Sequence, residues 1–168
     1  MITDVKVNVP NPVMRNQIAD YLKVADKFEL MGVGFETLDE NPNAQSVQKI
    51  YVNQATATNY INSYQTEFPY SADMIASEKA LMALYECGRN HMTGTNAMFE
   101  YVRVDLFSAV EGQTNVFKAR KFIVSNEVSG NTGKGGDPMA LAGTLKSVGD
   151  PVLGTFDTTA CTFTEGGE

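Results

Sequence analysis

Two strong strand runs, at 98–107 (MFEYVRVDLF) and 116–128 (VFKARKFIVSNEV), are joined by a glycine-bearing turn around Gly112. Enrichment in Val, Ile, Phe and Tyr is the mark of β-strands, and two such runs at this spacing read as a hairpin. A lone hairpin is marginal in water, so the remaining chain must supply more strands or a covering helix. It offers both. Residues 20–34 read as one or two short half-buried strands, and 47–54 with 56–68 as a further hairpin, Lys49, Tyr51 and Asn53 alternating with Ile50 and Val52. Nine of the 14 glycines lie at or beyond Gly130, so the C-terminal region is turns and short strands, at 141–145 and 152–163, rather than helix.

One segment has helical periodicity. Over residues 73–88, Ala76, Ala80, Leu81, Leu84 and Cys87 share one arc at 100° per residue, opposite Glu78, Lys79, Glu86 and Arg89. Ser71 or Asp73 is the expected N-cap and Gly88 the expected terminator. Ile75 and Met82 fall on the charged arc, where a neighbouring subunit could cover them. The fold class expected is therefore mainly β with one flanking α-helix, a β-sandwich or small barrel within a single domain.

Charge and length narrow the function classes. A chain of 168 residues can bury a core without staples. Its 20 acidic against 13 basic side chains give a net charge of -7, which disfavours phosphate-neutralising nucleic-acid binding and anionic membrane surfaces. No run approaches the ~20 apolar residues that span a bilayer. The first dozen residues mix acid, base and two prolines where a secretory signal needs an apolar run, so synthesis and assembly inside the cell are expected. Cys87 and Cys161 match neither a disulfide framework nor a zinc spacing and are expected to pack as small hydrophobes.

No catalytic, metal or cofactor motif emerges, so neither an enzyme nor a cofactor is expected. His91, the only histidine, lies just past the helix and reads as a loop or capping residue; no G-x-S-x-G elbow exists. The glycine-rich stretch 129–137 (SGNTGKGGD) has Val128 and Gly135 where a phosphate loop needs Gly and Ser or Thr, and reads as a mobile connection. Asp39, Asn41 and Asn43 start like a calcium loop, but Ala44 and Ile50 stand where Gly and Glu are required. Asp150, Asp157 and Glu165 read as scattered surface carboxylates. Lys118 and Arg120 alternate to the face opposite Lys121, as on a solvated or subunit-facing strand.

Several segments, in order, resemble the major tail protein, or tail tube protein, of bacteriophages and phage-like particles of Gram-positive bacteria. They are 28–45 (FELMGVGFETLDENPNAQ), 49–73 (KIYVNQATATNYINSYQTEFPYSAD), the GRNHMTG turn, YVRVDLF at 101–107, GTLKSVGDPVLGTFD at 143–157 and TFT at 162–164. The resemblance implies a β-sandwich with a flanking helix, assembled as hexameric rings stacked into a hollow tube. DNA would pass through without specific binding, or the tube would be the inner tube of a contractile particle. Sheath, tape measure and tail initiator proteins are the implied partners, and the virion tail, assembled in the host cytoplasm, the implied location. By the same likeness residues 1–19 form an arm and 35–47 an extended inter-subunit loop. Phe35, Glu36, Thr37, Leu38, Asp39, Glu40, Asn41 and Pro42 are thus, with Ile75 and Met82, the expected self-assembly residues. Deleting 37–44 is expected to leave a folded protomer. An adhesin or a calcium-dependent tail module is the alternative.

Overall fold

The computed structural model describes residues 10–166. A short 3₁₀ turn at Arg15–Gln17 leads into β1 (Ile18–Val24), β2 (Lys27–Leu30), β3 (Phe35–Leu38), β4 (Ala44–Lys49), β5 (Thr58–Tyr64) and β6 (Glu67–Asp73). The helix α1 (Lys79–Arg89) follows, then β7 (Met98–Ala109), β8 (Val116–Thr132), β9 (Ala140–Ser147), β10 (Val152–Asp157) and β11 (Thr162–Glu165). Nine strands form one antiparallel sheet: seven in the order β2-β1-β7-β8-β9-β6-β3, with β10 also paired to β8 and β11 to β10, while among the described residues β4 and β5 pair only with each other. Of the residues expected to form an arm, 1–19, Ile18 and Ala19 belong to β1, and residues 1–9 lie outside the described part.

The two runs with the strongest strand signal become the centre of the sheet. On the side of β8 away from β7, residues 116–121 pair with β10 and residues 124–132 with β9, so one 17-residue strand serves two partners in succession. The sheet is consequently buried on both faces at its middle: Tyr101, Val102, Arg103 and Val104 are all buried. Tyr101 joins a core with Leu22, Phe68, Phe122 and Leu145 on one face. Val102 and Val104 join Tyr21, Ala119 and Phe156 on the other, where Phe163 of β11 packs against them. Successive residues of β7 thus feed two cores, as the strand period requires.

The helix closes the first core. Ala80, Leu81, Leu84 and Cys87 are buried as expected from their arc, and α1 packs on β8, β1 and β2. Its start differs from the expected one. Residues 70–73 continue β6, with Asp73 opposite Ala140 and its N–H bonded to the Gly34 carbonyl at 2.8 Å, so the sheet takes the residues whose side chains suggested an N-cap. Ala76 is exposed in the turn before the helix. Ile75 is half-buried and packs against the core, and Met82 is half-buried. Gly34 has φ +92°, and a Cβ there would lie 2.9 Å from the Asp73 carbonyl oxygen, which makes glycine the fitting residue between β2 and β3.

At the other end, His91 rather than Gly88 provides the left-handed residue, at φ 51°. Its N–H donates to the Gly88 carbonyl and that of Met92 to the Cys87 carbonyl, the paired bonds of a Schellman cap. The C-terminal run expected at 152–163 is two strands, because Asp157 Oδ1 accepts the N–H groups of Thr159 and Ala160 and turns the chain. The glycine-rich 129–137 stretch is not a free connection throughout: up to Thr132 it extends β8 against β9.

Candidate assembly surface

The candidate surface consists of a projecting hairpin, the buried charges at its root and an open groove. The hairpin is β4 and β5, joined by a tip at 50–57. Register pairs Val47 with Tyr60 and Lys49 with Thr58, and among the described residues no third strand joins them. All of β5 is exposed and all of β4 except half-buried Val47. Such a ribbon lacks the covered face that makes strands independently stable. At the tip, Gln54 Oε1 accepts from the Tyr51 N–H and the Thr58 hydroxyl while the Gln54 N–H donates to the Tyr51 carbonyl. The turn so held leaves Ile50 67% exposed, Tyr51 54% exposed and Val52 fully so.

Sequence reading missed this arm, although a signal was present. Between Asn41 and Thr66 the only charged residue is Lys49, in a chain that is 20% charged. An exposed segment depleted in charge and carrying three tyrosines has the composition of an interface core rather than of a solvated loop.

The expected loop over 35–47 is mostly something else. Phe35–Leu38 is the edge strand β3, paired with β6, and Leu38 is in the core while Phe35 packs against it. Glu36, Thr37, Asp39, Asn41 and Pro42 are exposed. Asn41 exchanges two backbone hydrogen bonds with Glu67, of 2.8 and 2.9 Å, and Asn43 Nδ2 donates to the Gln65 carbonyl. The residues that suggested a calcium loop instead tie down the base of the hairpin. Deleting 37–44 would remove core and anchor together, which corrects the expectation of a folded protomer.

Glu40 points inward, into a cluster of charges. Arg120 Nη1 and Nη2 donate to its two oxygens at 2.7 Å each, and Arg103 Nε lies 3.3 Å from Oε2. Arg103 Nη1 also reaches Oδ1 of Asp20 at 3.3 Å, and Asp20 is only 1% exposed. Asp20 further accepts from the Tyr101 hydroxyl and from Arg15 Nη2. Burial, with the Asp20 charge adding to it, raises the Tyr101 phenol well above its ordinary range and keeps it a neutral donor. Burial likewise raises the Asp105 carboxyl, Arg120 opposing and Glu40 adding to the shift. The basic strand seen in the sequence is thus split as alternation requires: Arg120 serves this cluster, and Lys121 lies on the other face, over the Phe163 ring and near Glu100.

The groove, about 720 Å³, lies between two strand edges. Among the described residues, the outer edge of β3 has no strand partner, and Ile18 and Ala19 of β1 are paired only on the β7 side. Leu30, Met31, Leu38, Leu106 and Phe117 contribute its apolar lining. Arg15 links the two edges, Nη1 donating to the Ile18 carbonyl and Nη2 to that of Leu38. Among the described residues, the walls of the groove hold no nucleophile–base pair. His91, part of the helix cap, and Cys87, buried under the helix, lie elsewhere.

No family model matches the chain, and no curated protein matches it in sequence. Solved structures do match. A chain of the native gene transfer agent virion superposes with a TM-score of 0.61 at 7% identity, over 84% of this chain and 98% of that one. A chain from the tail of the empty gene transfer agent particle, refined helically with C6 symmetry, gives 0.58 at 9% identity, over 84% and 98%. A chain of the PVC extracellular contractile injection system, in its sheath/tube terminator in the extended state, gives 0.58 at 6% identity, over 86% and 98%. The mainly β fold with one helix expected from the tail tube resemblance is therefore the fold this chain has, and it is shared with chains of a gene transfer agent particle and its tail and of a contractile injection system.

Proposed function

We infer that the chain is a self-assembling structural subunit of a tail tube, stacked as hexameric rings around a hollow lumen, and not an enzyme. The observation that carries this reading is the hairpin of β4 and β5, a solvent-exposed ribbon with one charged residue and an apolar tip. Its open edges are the kind of strand border that proteins ordinarily protect with charge or proline, and burial against a neighbouring copy removes the liability. The fold shared with tail chains supports the same reading, and the C6 symmetry of one such tail supports six subunits per ring. A net charge of -7 suits a conduit, because a passing polyanion is repelled rather than retained. Sheath, tape measure and tail initiator proteins are the partners that follow from this role, with the virion tail as its place.

Sedimentation velocity and negative-stain microscopy of the concentrated protein, alone and with tail initiator proteins, test it. Rings or tubes are expected, and a protein that stays monomeric under all these conditions refutes the reading. Replacing residues 46–61 by a two-residue Asn-Gly turn is expected to leave a folded protomer that does not elongate.

A further inference from the structure

The hairpin tip and the groove between β1 and β3 are unsatisfied in complementary ways within one protomer. Ile50, Tyr51 and Val52 stand exposed at the end of a ribbon about six residues long, hence roughly 20 Å beyond its root. The groove is open, apolar at its base and bordered by the outer edge of β3 and by Ile18 and Ala19, which pair only on the β7 side. Its volume of about 720 Å³ is in the range that buries a compact group of side chains.

Charge matches as well. Lys49 beside the tip and Glu36 on the groove wall are exposed, and among the described residues neither takes part in an ion pair. The other two charged residues of the groove, Arg15 and Asp20, already pair with each other at 2.7 Å. One unpaired cation on the tip thus corresponds to one unpaired anion on the groove. The tip is also preorganised by Gln54, which lowers the ordering cost of docking.

We propose that the tip of the β4–β5 hairpin of one copy docks in the β1–β3 groove of the next, Ile50 and Val52 entering the apolar base and Lys49 meeting Glu36. The contact joins two different surfaces of the same chain. It therefore does not close on itself in a pair and propagates from copy to copy, as a ring or filament requires. The proposal rests on the reading of the hairpin as an assembly arm and adds the surface that receives it.

The test uses two variants of the full chain, each checked for folding by circular dichroism and thermal melting. The tip variant carries Ile50→Asp and Val52→Asp; the groove variant carries Leu30→Arg at an exposed position of the wall. Each alone is expected to raise the concentration needed for assembly, measured by sedimentation velocity, at least roughly tenfold, as loss of a central apolar anchor does. Mixed one to one, they retain one intact tip and one intact groove and are expected to form heterodimers that grow no further. Lys49→Glu and Glu36→Lys are each expected to weaken assembly roughly threefold, and the double exchange on one chain to restore it.

Three results overturn the proposal. If the tip variant fails to assemble but the groove variant behaves as wild type, the tip docks elsewhere: the assembly-arm reading stands and this inference falls. If the groove variant and a chain lacking residues 1–9 fail while the tip variant assembles, the groove receives the N-terminal segment instead. If wild type and all variants remain monomeric, both readings fall.

Discussion

Arg120 grips Glu40 through two parallel hydrogen bonds of 2.7 Å, and through that grip the root of a solvent-exposed hairpin is fastened to the central strand of the sheet. Paired guanidinium and carboxylate groups of this geometry are directional as well as strong, so the carboxylate is held in place rather than merely attracted. Arg103 approaches the same carboxylate from β7. Replacing Glu40 by Ala removes the carboxylate shared by the two arginines and leaves Arg103 only Asp20 as a partner. Because Arg120 retains some solvent contact, the expected cost is about 2–3 kcal/mol, below that of a fully buried broken pair. Urea denaturation measures it, and hydrogen exchange should show earlier opening of residues 44–64 than of β7.

Gly88 and Val128 set the distance between the helix and the sheet. A Cβ on residue 88 would lie 2.8 Å from the Val128 Cβ, a separation that packed carbons do not reach. In an exposed helix Gly→Ala stabilises by about 1 kcal/mol. Here Gly88→Ala is expected to destabilise instead, by about 1–3 kcal/mol, because helix or strand must shift. A shorter side chain opposite, in the pair Gly88→Ala with Val128→Ala, should recover part of the loss in a double-mutant cycle.

His91 occupies a left-handed backbone position that costs a residue bearing a Cβ about 1 kcal/mol. No hydrogen bond of its side chain is seen among the described residues. His91→Gly should therefore stabilise the protein by up to about 1 kcal/mol and raise the melting temperature by roughly 2–4 °C. A fall in melting temperature would show that the imidazole makes a contact that outweighs the backbone term.

Glu100 accepts a 2.7 Å hydrogen bond from Lys23, which holds its carboxyl below the ordinary value of 4.5, with Lys121 adding to the effect. A depressed carboxylate contributes stability above its unfolded-state value, and that contribution is lost as pH falls through the folded-state value. Stability should decline as pH drops below about 4.5. Glu100→Gln should lose up to about 1 kcal/mol at pH 7, a small figure because the pair is partly exposed, and should show a shallower acid limb. Guanidinium titrations at several pH values measure both.

The amino-acid sequence by itself determined the elements whose signal is local. The strand-forming residues at 98–107 and 116–128 have one reading, and these runs became β7 and β8 with nearly those bounds. The arc of Ala80, Leu81, Leu84 and Cys87 likewise became the buried face of α1. The hairpin's lack of charge was also legible, yet its Val, Ile and Tyr residues resemble those of an ordinary half-buried strand pair. Only the absence of a covering layer distinguishes the two cases, and that is a property of the whole fold.

Tertiary structure decided the rest, because each remaining feature depends on partners distant in the chain. Asp73 had the side chain of a helix cap, but Ala140, 67 residues later, drew it into a sheet. Glu40 looked like part of a solvated loop until Arg103 and Arg120 met it. The groove exists because strands β1 and β3 end as neighbours without pairing. Periodicity is written in consecutive residues, whereas ion pairs, sheet order and open edges arise only when separate segments are brought together.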